Sequence, residues 1–292
     1  MSDTGASLRR KIASAGDLES VVRTMKAMAA SNISQYENAV RSLEDYDRTV
    51  QLGLLACFRQ RQSGALGRRK QQDPGTVCAV VFGSDQGLVG QFNDALAEFV
   101  LETLDPLPNR KMLWVVGERI QSRLADSPLN TSSRFILPNA IVEITPLVSQ
   151  ILLELESQRE RGEIGQVYLF HNRPKPGALY ESVSQRMLPL DDAWQRQLAS
   201  RPWPTNNLPE VQQNGEQVSL AFIREYLFVS LFRSCAESLA SENASRLAAM
   251  QRAEKNIGEL LKTLGDDFHR LRQDSIDEEL FDVVSGFEAY DH

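Results

Sequence analysis

The chain has 292 residues, of which 42% are hydrophobic and 24% charged, so it can bury one large core or two modest ones. Its net charge of −7 lacks the basic excess of a general nucleic-acid-binding protein, and we expect no nucleic-acid partner. No apolar run approaches the roughly 20 residues that span a bilayer, so membrane association is expected to be indirect. Cys57, Cys78 and Cys235 lie far apart within apolar stretches, which predicts buried, reduced thiols.

Residues 1–60 predict one long helix, because they contain no proline and carry a regular apolar stripe. From Leu8 to Cys57, steps of four and three meet apolar residues everywhere except at Glu19, Lys26 and Asp47. A 3.5-residue period keeps one stripe facing a partner helix. The stripe therefore predicts a supercoiled helix pair.

Residues 218–288 predict the matching helix at the other end of the chain. The same spacing recurs at Leu247, Met250, Ile257, Leu261, Leu264, Phe268 and Leu271. Burial of either stripe inside a helical bundle is the alternative, but the lengths of the stripes and their common spacing favour an antiparallel coiled coil. Gly258 and Gly265 share one face and are expected to let another backbone approach closely.

Residues 75–190 predict a central α/β domain with a mostly parallel sheet, because short apolar runs alternate with helical segments. The predicted strands are 76–82, 112–117 and 166–170, with a half-exposed strand over 178–190, and the predicted helices are 90–104, 118–125 and 145–161. Residues 191–217 are rich in proline and polar residues, which predicts a linker into the last helix.

The stretch VVFGSDQGLVGQFN, residues 80–93, resembles a phosphate-binding loop in outline. It lacks the lysine and the following Ser or Thr of a Walker-type loop, and its glycines do not have the dinucleotide-binding spacing. We therefore interpret it as an architectural turn. Ser84 and Asp85 suggest a nucleophile and its helper, but without a basic partner they are expected to be solvent-exposed turn residues.

The remaining polar residues indicate no reaction chemistry. The three histidines, His171, His269 and His292, lie far apart, and neither a His-x-x-x-His nor a Cys-x-x-Cys pair is present. The sequence therefore predicts no catalytic, cofactor or metal site.

Four stretches, in this order along the chain, resemble the gamma subunit of F-type rotary ATP synthases. They are VVRTMKAMAAS (21–31), FGSDQGLVGQFN (82–93), SLASENASRLAAMQRAEKN (238–256) and RQDSIDEELFDVVSGFEAY (272–290). The family's Ile-Thr pair is Ile276-Asp277 here, and its Gly-Ala pair is Gly286-Phe287. These departures indicate a divergent branch, such as an alternative bacterial form.

The resemblance implies a non-catalytic rotor shaft that couples ion flow to ATP synthesis or hydrolysis. Its implied partners are the alpha and beta subunits of a hexamer, an epsilon-like subunit and the ring of c subunits. The implied location is peripheral, on the cytoplasmic face of a bacterial plasma membrane.

The same resemblance implies a set of contact residues. Arg272 and Gln273 would contact a loop of a catalytic subunit, with Asp277 in the same signature, and Met25 and Lys26 would lie near the lever of a beta subunit. Arg23 adds positive charge suited to an acidic lever. For Arg23 and Lys26, a solvated helix face is the alternative explanation.

Two other classes of function fit parts of the sequence. A coiled-coil adaptor unrelated to ATP synthesis would share the long helices, and only its partners would distinguish it. A nucleotide-using α/β enzyme would share the central domain, but the missing phosphate lysine argues against an ATP-binding version.

Overall fold

A computed structural model describes residues 4–63, 75–190, 192–207 and 215–288. In chain order the elements are α1 (Gly5–Ser63), β1 (Val77–Phe82), α2 (Phe92–Leu104), β2 (Lys111–Val116), α3 (Glu118–Leu124), β3 (Asn130–Phe135), α4 (Ile141–Glu160), β4 (Gln166–Lys175), β5 (Ala178–Leu188), α5 (Asp192–Ala199) and α6 (Gly215–Glu288). The chain divides into two compact units. The helical unit comprises the residues up to Ala30 and from Arg246, and the α/β unit runs from Ser31 to Ser245.

The α/β unit contains one five-stranded sheet in the order β3-β2-β1-β4-β5. Strand β1 pairs in parallel with β2 and β4, and β2 pairs in parallel with β3. Only the β4-β5 hairpin in this sheet is antiparallel. The predicted fold class, a long helix at each end with a central and mostly parallel sheet, is confirmed.

Helices cover both faces of the sheet, and the side chains of β1 are apolar on both faces. Cys78, Val80 and Phe82 face a cluster that includes buried side chains of α1, α4 and α6. The alternate residues Val77, Ala79 and Val81 face the cluster formed with α2 and α3. This period-two division explains why the strand reads as a continuous apolar run.

The second half of the apolar stripe of α1 packs into the core of the α/β unit. Tyr36, Val50 and Leu54 are buried in the cluster that covers one face of the sheet, together with residues of α6. For this half of the stripe, burial in a larger core describes the packing better than an isolated helix pair. The coiled-coil interpretation applies to the helical unit.

Three local predictions were wrong. Strand β3 was not predicted, since its sequence NTSSRF is polar and the strand lies at the sheet edge. Helix α4 begins at Ile141 and not at 145, so Pro146 lies inside it. Part of the predicted linker is helical, because α5 packs the buried Leu198 into the core beneath it.

The burial of the three cysteines was predicted correctly from the sequence. Cys57, Cys78 and Cys235 are all buried and none forms a disulfide. Burial raises the pKa of the Cys78 and Cys235 thiols, which disfavours the reactive thiolate. Among the described residues, no helix has the length and apolar character needed to cross a membrane.

Candidate interaction site

The two long helices of the helical unit pack along the predicted stripe. On α1, Leu8, Ala15 and Ala29 are buried, and the intervening stripe positions are half-buried. On α6, Met250 is buried and the other stripe positions up to Leu271 are half-buried. Regular partial burial at this spacing is the pattern of two helices that cover each other along one seam.

The glycines of this part of α6 do not mark a close helix contact. A Cβ atom added at Gly258 or at Gly265 would find no atom within 4 Å. The expected close approach of another backbone is therefore absent within the described chain.

Lys26 and Arg23 share a carboxylate with the opposite helix. The Lys26 Nζ atom lies 2.6 Å from an oxygen of Glu254, and the Arg23 Nε atom lies 3.7 Å from the other oxygen. Arg23 also contacts Glu19 one turn earlier, at 2.9 Å. Chiefly because Lys26 donates this hydrogen bond, the pKa of Glu254 is lowered.

Exposure distinguishes the three candidate contact residues of α1. The side chain of Arg23 is 65% exposed, whereas that of Lys26 is 33% exposed and Met25 is half-buried. Arg23 is therefore the most accessible of the three, although its guanidinium group already pairs with Glu19 and Glu254. The sequence placed Lys26 on the seam but did not identify Glu254, although that residue lies four after Met250 on the same stripe.

Arg272, Gln273 and Asp277 lie on a part of α6 that α1 does not cover. Gly5 is the first residue of α1, and a Cβ added there would lie 3.6 Å from the Leu271 side chain, just before Arg272 on α6. The three side chains are exposed, and among the described residues none has a hydrogen bond or ion pair. They are therefore available to a partner.

The two groups of candidate residues do not form one site. Glu254 and Arg272 are separated along α6 by about 27 Å at about 1.5 Å per residue. An apolar face near Arg272 was not predicted from the sequence; its residues Ile276, Leu280 and Val283 are 45%, 56% and 56% exposed. Their i, i+4, i+7 spacing is the signal that identifies this face.

The loop that follows β1 is tied down by its own polar side chains. Ser84 is fully buried, which corrects the expectation of a solvent-exposed residue. Its backbone N–H donates to Asn93 Oδ1 at 3.0 Å, and Asn93 Nδ2 donates to the Ser84 hydroxyl at 2.8 Å. Asn172 donates to the carbonyl of Phe92 at 3.0 Å. Ser84 and Asn93 therefore hold the loop in shape, which gives both motif residues a structural role.

Asp85 and two glycines complete this architecture. The Asp85 carboxylate accepts from the N–H of Glu118 at 2.9 Å, which satisfies a donor at the start of α3. Gly117 has a φ of +113°, which disfavours any side chain. A Cβ at Gly83 would lie 2.2 Å from Ile120. The two glycines therefore let the turn hold β1 closer to α3 than residues with a side chain would permit.

A cluster of polar side chains connects the sheet to α6 within the α/β unit. His171 Nε2 lies 2.8 Å from Glu237, and Arg233 contacts the other oxygen of that carboxylate at 3.0 Å. Burial raises the pKa of Glu237, but His171 and Arg233 outweigh this effect and leave the pKa lowered. The described residues contain no group of three or more side chains suited to a metal ion.

Comparison with known proteins identifies the family. A family model described as ATP synthase matches residues 4–290. Two similar chains are named ATP synthase gamma chain: one from Polynucleobacter asymbioticus is 24% identical and aligns over 97% of this chain and 98% of its own. One from Stenotrophomonas maltophilia is 25% identical and aligns over 98% and 99%.

Solved structures support the fold. A chain from the OSCP/F1/c-ring assembly of Euglena gracilis mitochondrial ATP synthase superposes with a TM-score of 0.63 at 15% identity, covering 98% of this chain and 94% of that chain. A chain from the central stalk and c-ring of the Tetrahymena thermophila enzyme gives a TM-score of 0.55 at 24% identity, covering 80% and 99%. The chain belongs to the ATP synthase family, as a gamma chain: the non-catalytic central shaft of the rotor in the peripheral F1 sector.

Proposed function

We propose that this chain turns inside a hexamer of alternating alpha and beta subunits and couples ion flow to ATP synthesis or hydrolysis. The family match over residues 4–290 is the observation that carries this proposal. It also favours the shaft over the coiled-coil adaptor and the nucleotide-using enzyme.

The helical unit has the physical properties of a shaft. Two helices held along a partly apolar seam resist bending, and their differing outer faces present each surrounding subunit with a different surface. A shaft shifts a conformational equilibrium in its partner only through contacts that differ between the two conformations. Rotation of an asymmetric helix pair therefore changes the nucleotide affinity of each catalytic site in turn.

The exposed apolar side chains of the helical unit support a surrounding partner. Leu18, Val21 and Met28 on α1 are 57%, 55% and 61% exposed, and Phe281 near the end of α6 is 73% exposed. Concentrated exposed apolar residues are typical of protein interaction surfaces. We propose that the alpha and beta subunits cover them.

Two polar groups would make the directed contacts. We propose that Arg272, Gln273 and Asp277 contact a loop of a catalytic subunit, which their exposure permits. We propose that Arg23, Met25 and Lys26 lie near the lever of a beta subunit, with Arg23 the most accessible of the three. Exposed charge pairs contribute only about 0–1 kcal/mol each, so torque depends chiefly on the shape of the shaft.

The other partners and the location follow from the family. We propose that the α/β unit binds an epsilon-like subunit and rests on the ring of c subunits, as the central stalk and c-ring of the Tetrahymena enzyme suggest. The whole complex would lie on the cytoplasmic face of a bacterial plasma membrane.

Co-expression with the alpha and beta subunits from the same genome tests the proposal. We expect a complex that co-purifies and hydrolyses ATP only when this chain is present. The control replaces this chain with another gamma chain that assembles with the same subunits. Assembly of the control without assembly of this chain would contradict the proposal and favour the adaptor.

A further inference from the structure

One leucine in the loop after β1 has a backbone conformation that favours glycine. Among the described residues, Leu88 is the only residue other than glycine with a positive φ, which is +63°. A Cβ atom at such a φ crowds the backbone, so leucine is strained there and glycine is not. The same loop has glycine at its other positive φ, +59° at Gly90. The backbone alone therefore does not explain why position 88 is a leucine.

The packing of the side chain does not explain this leucine either. The Leu88 side chain is 61% exposed, whereas the next residue, Val89, is only 4% exposed. Apolar side chains stabilise a fold in proportion to the area that they remove from water, so an exposed leucine contributes little. Within the described chain, the leucine at position 88 adds strain to the backbone and little packing.

The loop around Leu88 is held by hydrogen bonds that fix its shape. The Ser84 hydroxyl donates to the carbonyl of Gln86 at 3.0 Å and accepts from Asn93 Nδ2 at 2.8 Å. A turn that is fixed before binding loses little conformational entropy when a partner binds to it. Strained residues in such well-held settings are concentrated at functional sites.

An exposed cation lies beside the same turn. The three atoms nearest to a Cβ added at Gly87 all belong to the guanidinium group of Arg119, the closest at 3.6 Å. Arg119 is exposed, and among the described residues its guanidinium group has no hydrogen bond or ion pair. The Asp85 carboxylate of the same turn already accepts from the N–H of Glu118 at 2.9 Å. The turn therefore presents an apolar side chain next to a guanidinium group that is free to bind a carboxylate.

We infer that Leu88 is an anchor residue, which inserts into an apolar cleft of a partner subunit while Arg119 pairs with a carboxylate at the edge of that cleft. The inference rests on the proposed function, because the partner is another subunit of the same rotary complex. A few anchors that fill pockets provide most of the binding energy of a protein interface. Glycine at position 88 would relieve the strain but would leave the cleft empty. Binding of a partner thus supplies the reason for leucine that the isolated chain lacks.

The stability of the free chain tests the strain at Leu88. Leu88→Gly should raise the melting temperature by about 2 °C, because glycine adopts a φ of +63° without strain. Leu88→Ala keeps the Cβ atom and removes only the exposed part of the side chain, so its melting temperature should change by less than about 1 °C. A lower melting temperature in Leu88→Gly would show that contacts within the chain hold the leucine, and it would overturn the inference.

Competition for the other subunits tests the anchor. Equal amounts of parent and variant chain are mixed with a limiting amount of the other subunits, and the ratio of the two chains in the purified complex is measured. The parent chain should exceed Leu88→Gly and Leu88→Ala by about tenfold, whereas Leu88→Met should compete nearly equally because it keeps the apolar volume. Equal incorporation of Leu88→Gly would overturn the inference.

A matched control removes another exposed apolar side chain of the α/β unit. Ile136 is 86% exposed, and Ile136→Ala should be incorporated as well as the parent chain. Equal losses in Ile136→Ala and Leu88→Ala would contradict a specific anchor. Incorporation of the parent chain tests the proposed function, whereas the ratio of parent to variant tests the inference, so the two failures are distinguishable.

Photocrosslinking in the whole complex identifies what Leu88 contacts. The photoreactive residue p-benzoylphenylalanine replaces Leu88, and the irradiated complex is analysed by peptide mass spectrometry. We expect a crosslink to one segment of another subunit that contains apolar residues and an Asp or Glu, and Arg119→Glu should weaken this crosslink severalfold because it places two carboxylates together. Crosslinks confined to the chain itself, or to a segment without a carboxylate, would overturn the inference.

Discussion

The two units of this chain differ in how far their apolar side chains are buried within the chain itself. The α/β unit buries whole side chains from both faces of its sheet, and Phe82, Trp114 and Phe170 are 0% exposed. In the helical unit most seam positions are only half-buried, and large apolar side chains such as Met28 and Phe281 face outward. The first unit has its core within the chain, whereas the second presents a surface that a partner would complete.

Removing one large aromatic side chain from each unit should bring out this difference most strongly. Phe82→Ala deletes a fully buried side chain, and we expect the free energy of unfolding to fall by about 3–5 kcal/mol. Phe281→Ala deletes a side chain that is 73% exposed, and we expect a change within about 0.5 kcal/mol. Urea denaturation of the free chain measures both, and comparable losses would contradict the distinction.

Glycine substitutions in the two units should have opposite signs. A Cβ at Gly53 would lie 2.4 Å from the ring of Phe222, so Gly53→Ala should destabilise the α/β unit by about 1–3 kcal/mol. A Cβ at Gly265 meets open space, so Gly265→Ala should stabilise its helix by up to about 1 kcal/mol. Thermal unfolding followed by circular dichroism compares them, and stabilisation by Gly53→Ala would show that the contact is not restrictive.

The exposed end of α6 should affect activity without affecting stability. Arg272→Ala with Gln273→Ala is expected to lower ATP hydrolysis by the assembled complex about tenfold, which corresponds to about 1.4 kcal/mol. The matched control is Gln251→Ala with Arg252→Ala, a second exposed pair on the same helix. Unchanged hydrolysis in the first variant, or an equal loss in both, would contradict the contact assignment.

The smallest expected effect is a dependence on acidity within the β4-β5 hairpin. Hydrogen bonds from Arg173 and Lys175 lower the pKa of Glu181 to about 2. Because the folded pKa lies below the ordinary value of 4.5, the stabilisation is fully present above about pH 4.5 and is lost as the pH falls towards 2.

A pair of melting curves tests this effect. Glu181→Gln should lower the melting temperature slightly at neutral pH, and its difference from the parent chain should shrink between about pH 4.5 and about pH 2. A difference that stays constant across this interval would exclude an ionised Glu181 as its cause.

The regular parts of the fold were predictable because their sequence periods are strong. The stripe from Leu8 to Ala29 identified the seam, and the run from Val77 to Phe82 identified a buried strand. Edge strand β3 escaped prediction because its polar residues lack the period-two contrast of a half-buried strand. Its position is set by pairing with β2, which is a tertiary interaction.

The candidate site was predictable only in part. Periodicity placed Lys26 on the seam, but a heptad pattern is unchanged when one helix slides by seven residues, so it cannot show which residue Lys26 faces. The burial of Ser84 also depends on Asn93, a partner that the fold supplies. The partner contacts of Arg23, Met25, Arg272 and Asp277 stay predictions.

The Lys26–Glu254 contact also has a consequence for synthesis of the chain. The two residues are separated by 228 positions, and ribosomes add about 5–20 residues per second. Lys26 is therefore synthesised roughly 10–45 seconds before Glu254. During that interval the N-terminal segment has no second helix against which to pack. The residues of the α/β unit are meanwhile still emerging from the ribosome. The helical unit is thus assembled last, from the oldest and the newest parts of the nascent chain.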